Sequence, residues 1–112
     1  MGITHIVLFQ FKADASPESI NDISRRMLAL KDGCIHPTSK KPYIKSASGG
    51  TDNSPEGAQN GITHAFIVEF ENAEDRDYYV DKDPFHNEFK KRAGTILEKV
   101  IVVDFTNGEF KL

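Results

Sequence analysis

The chain of 112 residues has a single cysteine, Cys34, so it cannot form an internal disulfide. One cysteine is typical of a protein in a reducing, intracellular setting. No apolar run approaches the roughly 18 residues that a membrane-spanning helix needs. The first residues, MGITHIVLFQFK, lack the basic stretch and the cleavage site of a secretory signal. We therefore expect a cytoplasmic protein that does not associate with membranes.

A surplus of basic residues is also missing. The chain has 14 Lys and Arg residues against 17 Asp and Glu residues, a net charge of −3, which argues against nucleic acid as a partner. The motifs CxxC, HExxH, GxGxxG and GxSxG are absent, which excludes the common signatures of zinc sites, dinucleotide sites and serine hydrolases. We expect neither a metal nor a cofactor, and the length predicts a single domain over residues 1–112.

Three segments alternate in the way that β-strands do: ITHIVLFQF (3–11), ITHAFIVEFE (62–71) and ILEKVIVVDF (96–105). The first is largely apolar on both faces, which predicts a strand that is covered on both sides. The segment PYIKSAS (42–48) predicts a shorter strand, and its proline suggests a sheet edge or a strand start. Residues 49–60 are rich in turn formers and predict a loop.

The segment between the first two strands predicts one amphipathic helix over about residues 17–31. Ser16 is a good N-cap, and Pro17 suits the first helical position. Gly33 is predicted to end the helix at the C′ position. One apolar stripe recurs at spacings of three and four residues: Ile20, Ile23, Met27 and Leu30.

A second helical region follows residue 71 and is broken in two. Asn72 is predicted to cap its first part, and Asp83 to cap its second part, with Pro84 at the first helical position. The order of elements is therefore β-α-β-β-α-β, the ferredoxin-like arrangement of the α+β class. This order predicts a four-stranded antiparallel sheet with the helices on one face.

The face of the sheet that the helices leave bare is unusually apolar. An exposed apolar patch of this size is rare in a monomer. The simplest way to bury it is a second copy, packed sheet against sheet about a two-fold axis. We therefore predict a homodimer through this sheet face, which is formed by Ile6, Leu8, Ile67, Ile101, Val103 and Phe105.

The face that the helices cover carries three polar residues among apolar ones. These are His5 on the first strand, His64 on the third and Asp104 on the last. Polar groups in apolar surroundings are costly unless they are paired. The three residues therefore predict a shared hydrogen-bond network or a pocket. The simpler interpretation is a core pair of histidines satisfied by Asp104 or by backbone groups.

Four stretches together resemble one family: THIVLFQFK, GITHAFIVEFE, YYVDKDPFHNEF and EKVIVVDF. They are similar to the stress-responsive A/B barrel domain proteins, which are dimeric α+β barrels. The resemblance covers nearly the whole chain and is most specific in the Gly-x-Thr-His strand and the Pro-x-His turn. Residues 34–60 match least, because this chain is longer there.

The resemblance implies several functions, because the family includes plant stress proteins, bacterial proteins of unknown role and small polyketide cyclases. In the cyclase that closes olivetolic acid, a helix tyrosine and the histidine after Pro-x form the catalytic pair. The matching residues here are Tyr79 and His86. This chain has one extra residue between the tyrosine and the proline, so either Tyr78 or Tyr79 could match the catalytic tyrosine. In addition, Asp83 stands where the cyclase has a histidine.

The chemistry of a ring closure suits this pair. His86 could take a proton from a carbon between two carbonyls, and Tyr79 could donate to the enolate oxygen. An apolar cavity would hold a flexible substrate in a folded shape. We predict that this cavity is lined by His5, Val7, Phe9, His64, Phe66, Val68, Tyr78, Phe85, Phe89, Val100, Val102 and Asp104.

Three functions compete at this point. The first is a cofactor-free cyclase or lyase that acts on a hydrophobic poly-keto or phenolic substrate. The second is a non-catalytic stress-response or ligand-binding protein that uses the same pocket only to bind. The third is a haem-dependent monooxygenase-like protein in which a pocket histidine ligates iron. In a purely structural interpretation, His86 is an ordinary residue at a helix start and Tyr79 is a half-buried aromatic.

Overall fold

The computed structural model describes residues 2–111. Its elements in chain order are β1 (Ile3–Phe11), α1 (Pro17–Gly33), β2 (Ile44–Thr51), β3 (His64–Phe70), α2 (Ala73–Asp81), α3 (Pro84–Gly94) and β4 (Leu97–Phe105). The sheet order is β2-β3-β1-β4, so β1 pairs with two neighbours, and each pairing is antiparallel. This architecture confirms the predicted ferredoxin-like fold.

The core lies between the sheet and the helices because two apolar periodicities meet there. Alternate residues of β1 point inward, and Val7 and Phe9 are buried. On α1 the residues that recur every three or four positions, Ile23, Met27 and Leu30, are buried against them. The periods of two residues on the strand and of 3.6 residues on the helix therefore define which face of each element is internal.

The three predicted N-caps are confirmed. The Ser16 hydroxyl accepts a hydrogen bond from the Ser19 amide at 3.1 Å, and the Asn72 side chain accepts one from the Asp75 amide at 2.8 Å. Asp83 caps α3 through its carboxylate. Each side chain satisfies a backbone N–H that the first helical turn leaves without a partner.

The predicted role of Gly33 at the end of α1 is wrong. Gly33 lies inside the last turn, and Cys34 is the C-cap, with an extended backbone. The glycine has a packing role instead, since a Cβ there would lie 2.2 Å from Cε2 of Phe85. The absence of a side chain therefore allows the Phe85 ring of α3 to lie directly on α1.

Strand β2 is longer at its C-terminal end than its sequence suggests. It runs from Ile44 to Thr51, so the first three residues of the predicted 49–60 loop belong to the sheet. Gly49, which resembled a loop residue, lies under the ring of Phe66, and a Cβ there would lie 2.3 Å from the ring. The glycine is explained by close packing rather than by a turn.

The outer face of the sheet has no helix packed on it among residues 2–111. Ile67, Val103 and Phe105 are 42%, 52% and 43% exposed on this face. The apolar surface that the sequence predicted is therefore present on the single chain. Within the described residues, no helix is both long enough and apolar enough to span a membrane.

Candidate active site

A cavity of about 530 Å³ lies between the sheet and the helices α2 and α3, on the side of β4. Its volume is in the range of small-molecule sites. It exists because the helices pack over β3 and β1 but leave the inward residues of β4 half-exposed, with Val100 at 48% and Val102 at 52%. The wall is formed by His5, Val7, Phe9, Met27, Tyr79, Val80, His86, Phe89, Lys90, Ala93, Gly94, Leu97, Val100 and Val102.

The structure brings together eight of the residues that the sequence assigned to the site. They are His5, Val7, Phe9, Tyr79, His86, Phe89, Val100 and Val102. Six further wall residues were not predicted from the sequence. For two of them, Lys90 and Ala93, the sequence does contain a pattern that points to the wall. Both follow His86 on one face of α3 at helical spacing.

The other six assigned residues lie outside the cavity. His64 and Phe66 line a separate groove between α1 and the edge formed by β2 and β3. Phe85 lines a groove between α1 and α3, and Val68 is buried in the core. Two more, Tyr78 and Asp104, do not reach the wall.

The choice between the two adjacent tyrosines of α2 is resolved by their neighbours. Tyr79 is fully buried and lines the cavity. The ring of Tyr78 lies 5.7 Å from that of Tyr43 and 6.4 Å from that of His36, on another side of the helix. Of the two, Tyr79 is therefore the tyrosine that a molecule in the cavity can contact.

His5 is held by a chain of charged partners behind the cavity. Its Nδ1 lies 2.6 Å from Oδ1 of Asp104, and the other oxygen of Asp104 lies 2.8 Å from Nη1 of Arg76. Since a carboxylate only accepts, Nδ1 of His5 carries the proton. Nε2 is then the ring nitrogen that is left for a molecule in the cavity.

His64 does not join this network, contrary to the prediction that the three polar residues share one. In the sheet, His64 lies opposite Phe9, whereas Asp104 lies opposite His5, four residues earlier on β1. The Nδ1 of His64 pairs instead with the Thr63 hydroxyl at 2.8 Å. The two histidines share a sheet face but lie at opposite ends of it.

His86 is buried in its neutral form with a defined tautomer. Its Nδ1 donates to the backbone carbonyl of Tyr79 at 2.7 Å, so Nε2 is unprotonated. Burial lowers the pKa of His86 to about 4; the bond to the Tyr79 carbonyl opposes this shift, and the charge of Lys90 adds to it. At neutral pH Nε2 of this ring is therefore able to accept a hydrogen bond.

The Tyr79 ring lies between the two imidazoles. It stacks on His86 with 3.7 Å between centroids and meets the His5 ring edge-on at 5.7 Å. Its hydroxyl is buried and has no hydrogen-bond partner among residues 2–111. Burial also raises its pKa, so the group remains a donor. A buried hydroxyl without a partner is costly.

The rest of the wall adds little polarity. Lys90 is exposed, and its Nζ donates to the carbonyl of Val80 at 2.7 Å. Within residues 2–111, no group of three or more His, Cys, Asp or Glu side chains is arranged to hold a metal ion. The wall described here therefore combines mainly apolar side chains with the imidazoles of His5 and His86 and the ring of Tyr79.

Fold and cavity together define an α+β protein of ferredoxin-like fold with a pocket between sheet and helices. The chain belongs to the stress-responsive A/B barrel domain (Dabb) family, whose sequence profile matches residues 3–107. This match confirms the family resemblance seen in the sequence.

Known proteins similar to this chain come from plants and bacteria. The stress-response A/B barrel domain-containing protein HS1 of Arabidopsis thaliana is 32% identical over 103 residues, which cover 92% of this chain and 87% of HS1. The structure of a hydroxynitrile lyase from Passiflora edulis is 26% identical, with a TM-score of 0.82 over 98% of this chain and 97% of that chain. A dimeric ferredoxin-like protein from Bacteroides fragilis is 24% identical, with a TM-score of 0.69 over 93% of this chain and 94% of that chain.

Proposed function

We propose that the cavity binds an apolar small molecule with a carbonyl or hydroxyl oxygen and cyclises or cleaves it by acid–base catalysis. The observation that carries this proposal is the Tyr79 hydroxyl, which is buried and unpaired within residues 2–111. It lies on a ring between two imidazoles, and each of these has its Nδ1 bonded within the protein. A substrate oxygen would supply the missing hydrogen bond.

His5 is the stronger candidate for the general base. Its Nδ1 proton is held by Asp104, and that carboxylate would stabilise the imidazolium that forms when Nε2 takes a proton. The expectation from the sequence is that His86 is the base. A pKa of about 4 makes His86 a weak base at neutral pH, so its neutral Nε2 is better suited to orient a substrate hydroxyl or enol.

Both reaction types would use the same three groups. In a ring closure, His5 takes a proton from carbon, the carbanion attacks a carbonyl carbon, and Tyr79 donates to the new oxyanion. In a cleavage, His5 takes the proton of a hydroxyl, a carbonyl forms, and the adjacent carbon–carbon bond breaks. The leaving carbanion takes the electron pair of that bond and then receives the proton from the His5 imidazolium. The similarity to a hydroxynitrile lyase supports the second type, and the resemblance to polyketide cyclases supports the first.

The proposal can be tested with three probes: benzoylacetone, 2,4-dihydroxybenzoate and mandelonitrile. Binding would be measured by thermal shift, and turnover by loss of the probe. We expect Tyr79→Phe and His5→Gln to abolish turnover and His86→Gln to weaken binding. His64→Gln is the matched control, because His64 lies outside the cavity. Full turnover in all three cavity variants would overturn the proposal, and binding without turnover would favour a ligand-binding role.

We also propose a homodimer that buries the outer face of the sheet. The exposure of Ile67, Val103 and Phe105 supports this, because a second sheet packed there would remove all three from water. Light scattering at low micromolar concentration should give twice the mass of the chain, and Val103→Glu should reduce it to that of one chain. A monomer in the unmodified protein would contradict the proposal. A cytoplasmic location remains a prediction from the sequence.

A further inference from the structure

Asp83 is a buried carboxylate at the junction between α2 and α3, and its side chain is 1% exposed. One carboxylate oxygen accepts hydrogen bonds from the amides of Phe85 at 2.9 Å and His86 at 3.3 Å. The other accepts a hydrogen bond from the Tyr43 hydroxyl at 2.5 Å. A single side chain therefore joins the start of α3 to the segment that leads into β2.

The backbone of Asp83 joins the same two helices. Its amide donates to the carbonyl of Tyr78 at 3.0 Å, and its carbonyl accepts from the amide of Asn87 at 2.9 Å. The first bond follows the end of α2, and the second lies at the start of α3. The contact between Tyr79 and His86, on which the cavity depends, spans this junction.

Nothing of opposite charge compensates this carboxylate directly. No Lys or Arg forms a salt bridge with Asp83 within residues 2–111. The titratable groups that face it are Cys34 at the end of α1, Tyr43 before β2, Tyr79 on α2 and His86 on α3. The carboxylate is instead held by its three hydrogen bonds and by its place at the N-terminus of α3, where negative charge is favoured.

The charge acts on its neighbours as well as on the helix. Burial raises the pKa values of Cys34, Tyr43 and Tyr79, and the negative charge of Asp83 adds to the rise in each case. Tyr79 is thereby kept protonated, as a donor must be. The two other N-caps of the protein differ, because Ser16 and Asn72 are exposed and cap only their own helices.

We propose that Asp83 is a positioning residue that fixes the first turn of α3 against Tyr43, so that His86 stacks on Tyr79 at the wall of the cavity. The inference rests on the proposed function for its catalytic meaning. Its geometric part can be measured without any ligand, because an aromatic ring shifts the NMR signals of protons that lie over its face.

The test compares Asp83→Ala, Asp83→Asn and Ser16→Ala by NMR of the His86 ring and by melting temperature. Ser16→Ala is the matched control, since it removes a cap that is remote from the cavity. We expect Asp83→Ala to return the His86 ring protons toward the shifts of a free histidine. Exposure of the ring should also raise its titration midpoint by about one pH unit or more. Asp83→Asn keeps the cap and should keep the stack.

The direction in which the His86 titration midpoint shifts distinguishes a positioning role of Asp83 from that of an ordinary helix cap. Loss of the negative charge alone lowers the His86 midpoint, whereas release of the ring into water raises it. A lower or unchanged midpoint in Asp83→Ala, with the ring shifts retained and a loss of melting temperature like that of Ser16→Ala, would reduce Asp83 to an ordinary cap. If Asp83→Ala fails to fold, Tyr43→Phe removes only the second anchor and should give a smaller shift of the same sign.

Turnover provides the independent second readout. If one of the three probes is turned over, Asp83→Ala should lower its rate at least tenfold at a temperature where the fold persists, and Ser16→Ala should stay within twofold. Loss of the stack without turnover of any probe would keep the positioning role and reject the proposed function. Normal turnover in Asp83→Ala would reject the positioning role and leave the proposed function intact.

Discussion

The two halves of the inner sheet face differ sharply in packing. On β3, Val68 is 1% exposed and Phe70 is 0% exposed. On β4, the residues Val100 and Val102 alternate in the same way but are about half exposed. We call these the packed half and the open half. The same alternation of inward apolar residues therefore forms part of the core where a helix covers the strand, and a cavity wall where no helix does.

The largest expected effect lies in the packed half. Phe70→Ala should lower the free energy of unfolding by about 3–5 kcal/mol, because it leaves a hole in a close-packed region. Val102→Ala in the open half should cost less than about 1 kcal/mol, because the side chain already borders a cavity. Urea unfolding measures both values. Equal losses at the two positions would show that the halves are packed alike.

A pH effect should follow from His86, which lies on α3 and borders the same cavity as the open half. His86 has a pKa of about 4 when folded, below the ordinary value of 6.5. The unfolded chain therefore binds the proton more readily, so stability is full above pH 6.5 and falls as the pH drops toward 4. The loss should be on the order of 2 kcal/mol.

Urea midpoints at several pH values between 4 and 7.5 would measure this dependence. His86→Gln should remove most of the slope. His64→Gln should keep most of it, although burial lowers the pKa of His64 as well. A slope that survives His86→Gln unchanged would show that His86 is not the buried neutral group described above.

Two neighbouring glycines of β2, the strand beside β3, provide a second pair, because Gly49 lies opposite Phe66 on the inner face and Gly50 lies opposite Ala65 on the outer face. A Cβ on Gly49 would lie 2.3 Å from the Phe66 ring and 2.7 Å from the carbonyl oxygen of Ala65, whereas nothing lies within 4 Å of one on Gly50. Gly49→Ala should therefore cost about 1–3 kcal/mol through overpacking. Gly50→Ala should change stability by no more than about 0.5 kcal/mol. Thermal unfolding of the pair gives the difference directly.

Two buried tyrosines, Tyr79 and Tyr43, should respond differently to loss of the hydroxyl. Tyr79→Phe removes a hydroxyl that has no partner within residues 2–111, so stability should be unchanged or rise by about 1 kcal/mol. Tyr43→Phe removes a hydroxyl that is bonded to Asp83 and should cost about 1–3 kcal/mol. Unfolding in urea would measure both. A comparable loss in Tyr79→Phe would mean that this hydroxyl has a partner.

Much of the fold was predictable because local signals and global packing agree. The alternation of residues 3–11 matches β1 at both ends, and the caps Ser16, Asn72 and Asp83 begin the helices as expected. The Pro-x-His turn placed His86 at the start of α3, and its burial at the cavity followed from the family resemblance rather than from the turn itself.

The rest could not be predicted because it depends on where helices lie over the sheet. Sequence alternation predicts that His64 and His5 share one sheet face. Only the strand register shows that they lie far apart along that face, because His64 lies opposite Phe9. The two glycines of β2 resembled a loop, since the sequence does not show that a Phe66 ring lies over one of them. The exposure of β4 is likewise a property of helix placement rather than of its own residues.

The most direct test of the acid–base cavity is a titration of the protein with apolar fragments that carry a carbonyl or phenolic oxygen. NMR would follow the ring signals of His5, Tyr79 and His86, with Tyr79→Phe measured alongside. We expect the fragments to shift the signals of these three rings and to bind the variant at least tenfold more weakly. Equal affinity for both proteins, or shifts confined to the grooves that contain His64 and Phe85, would contradict it.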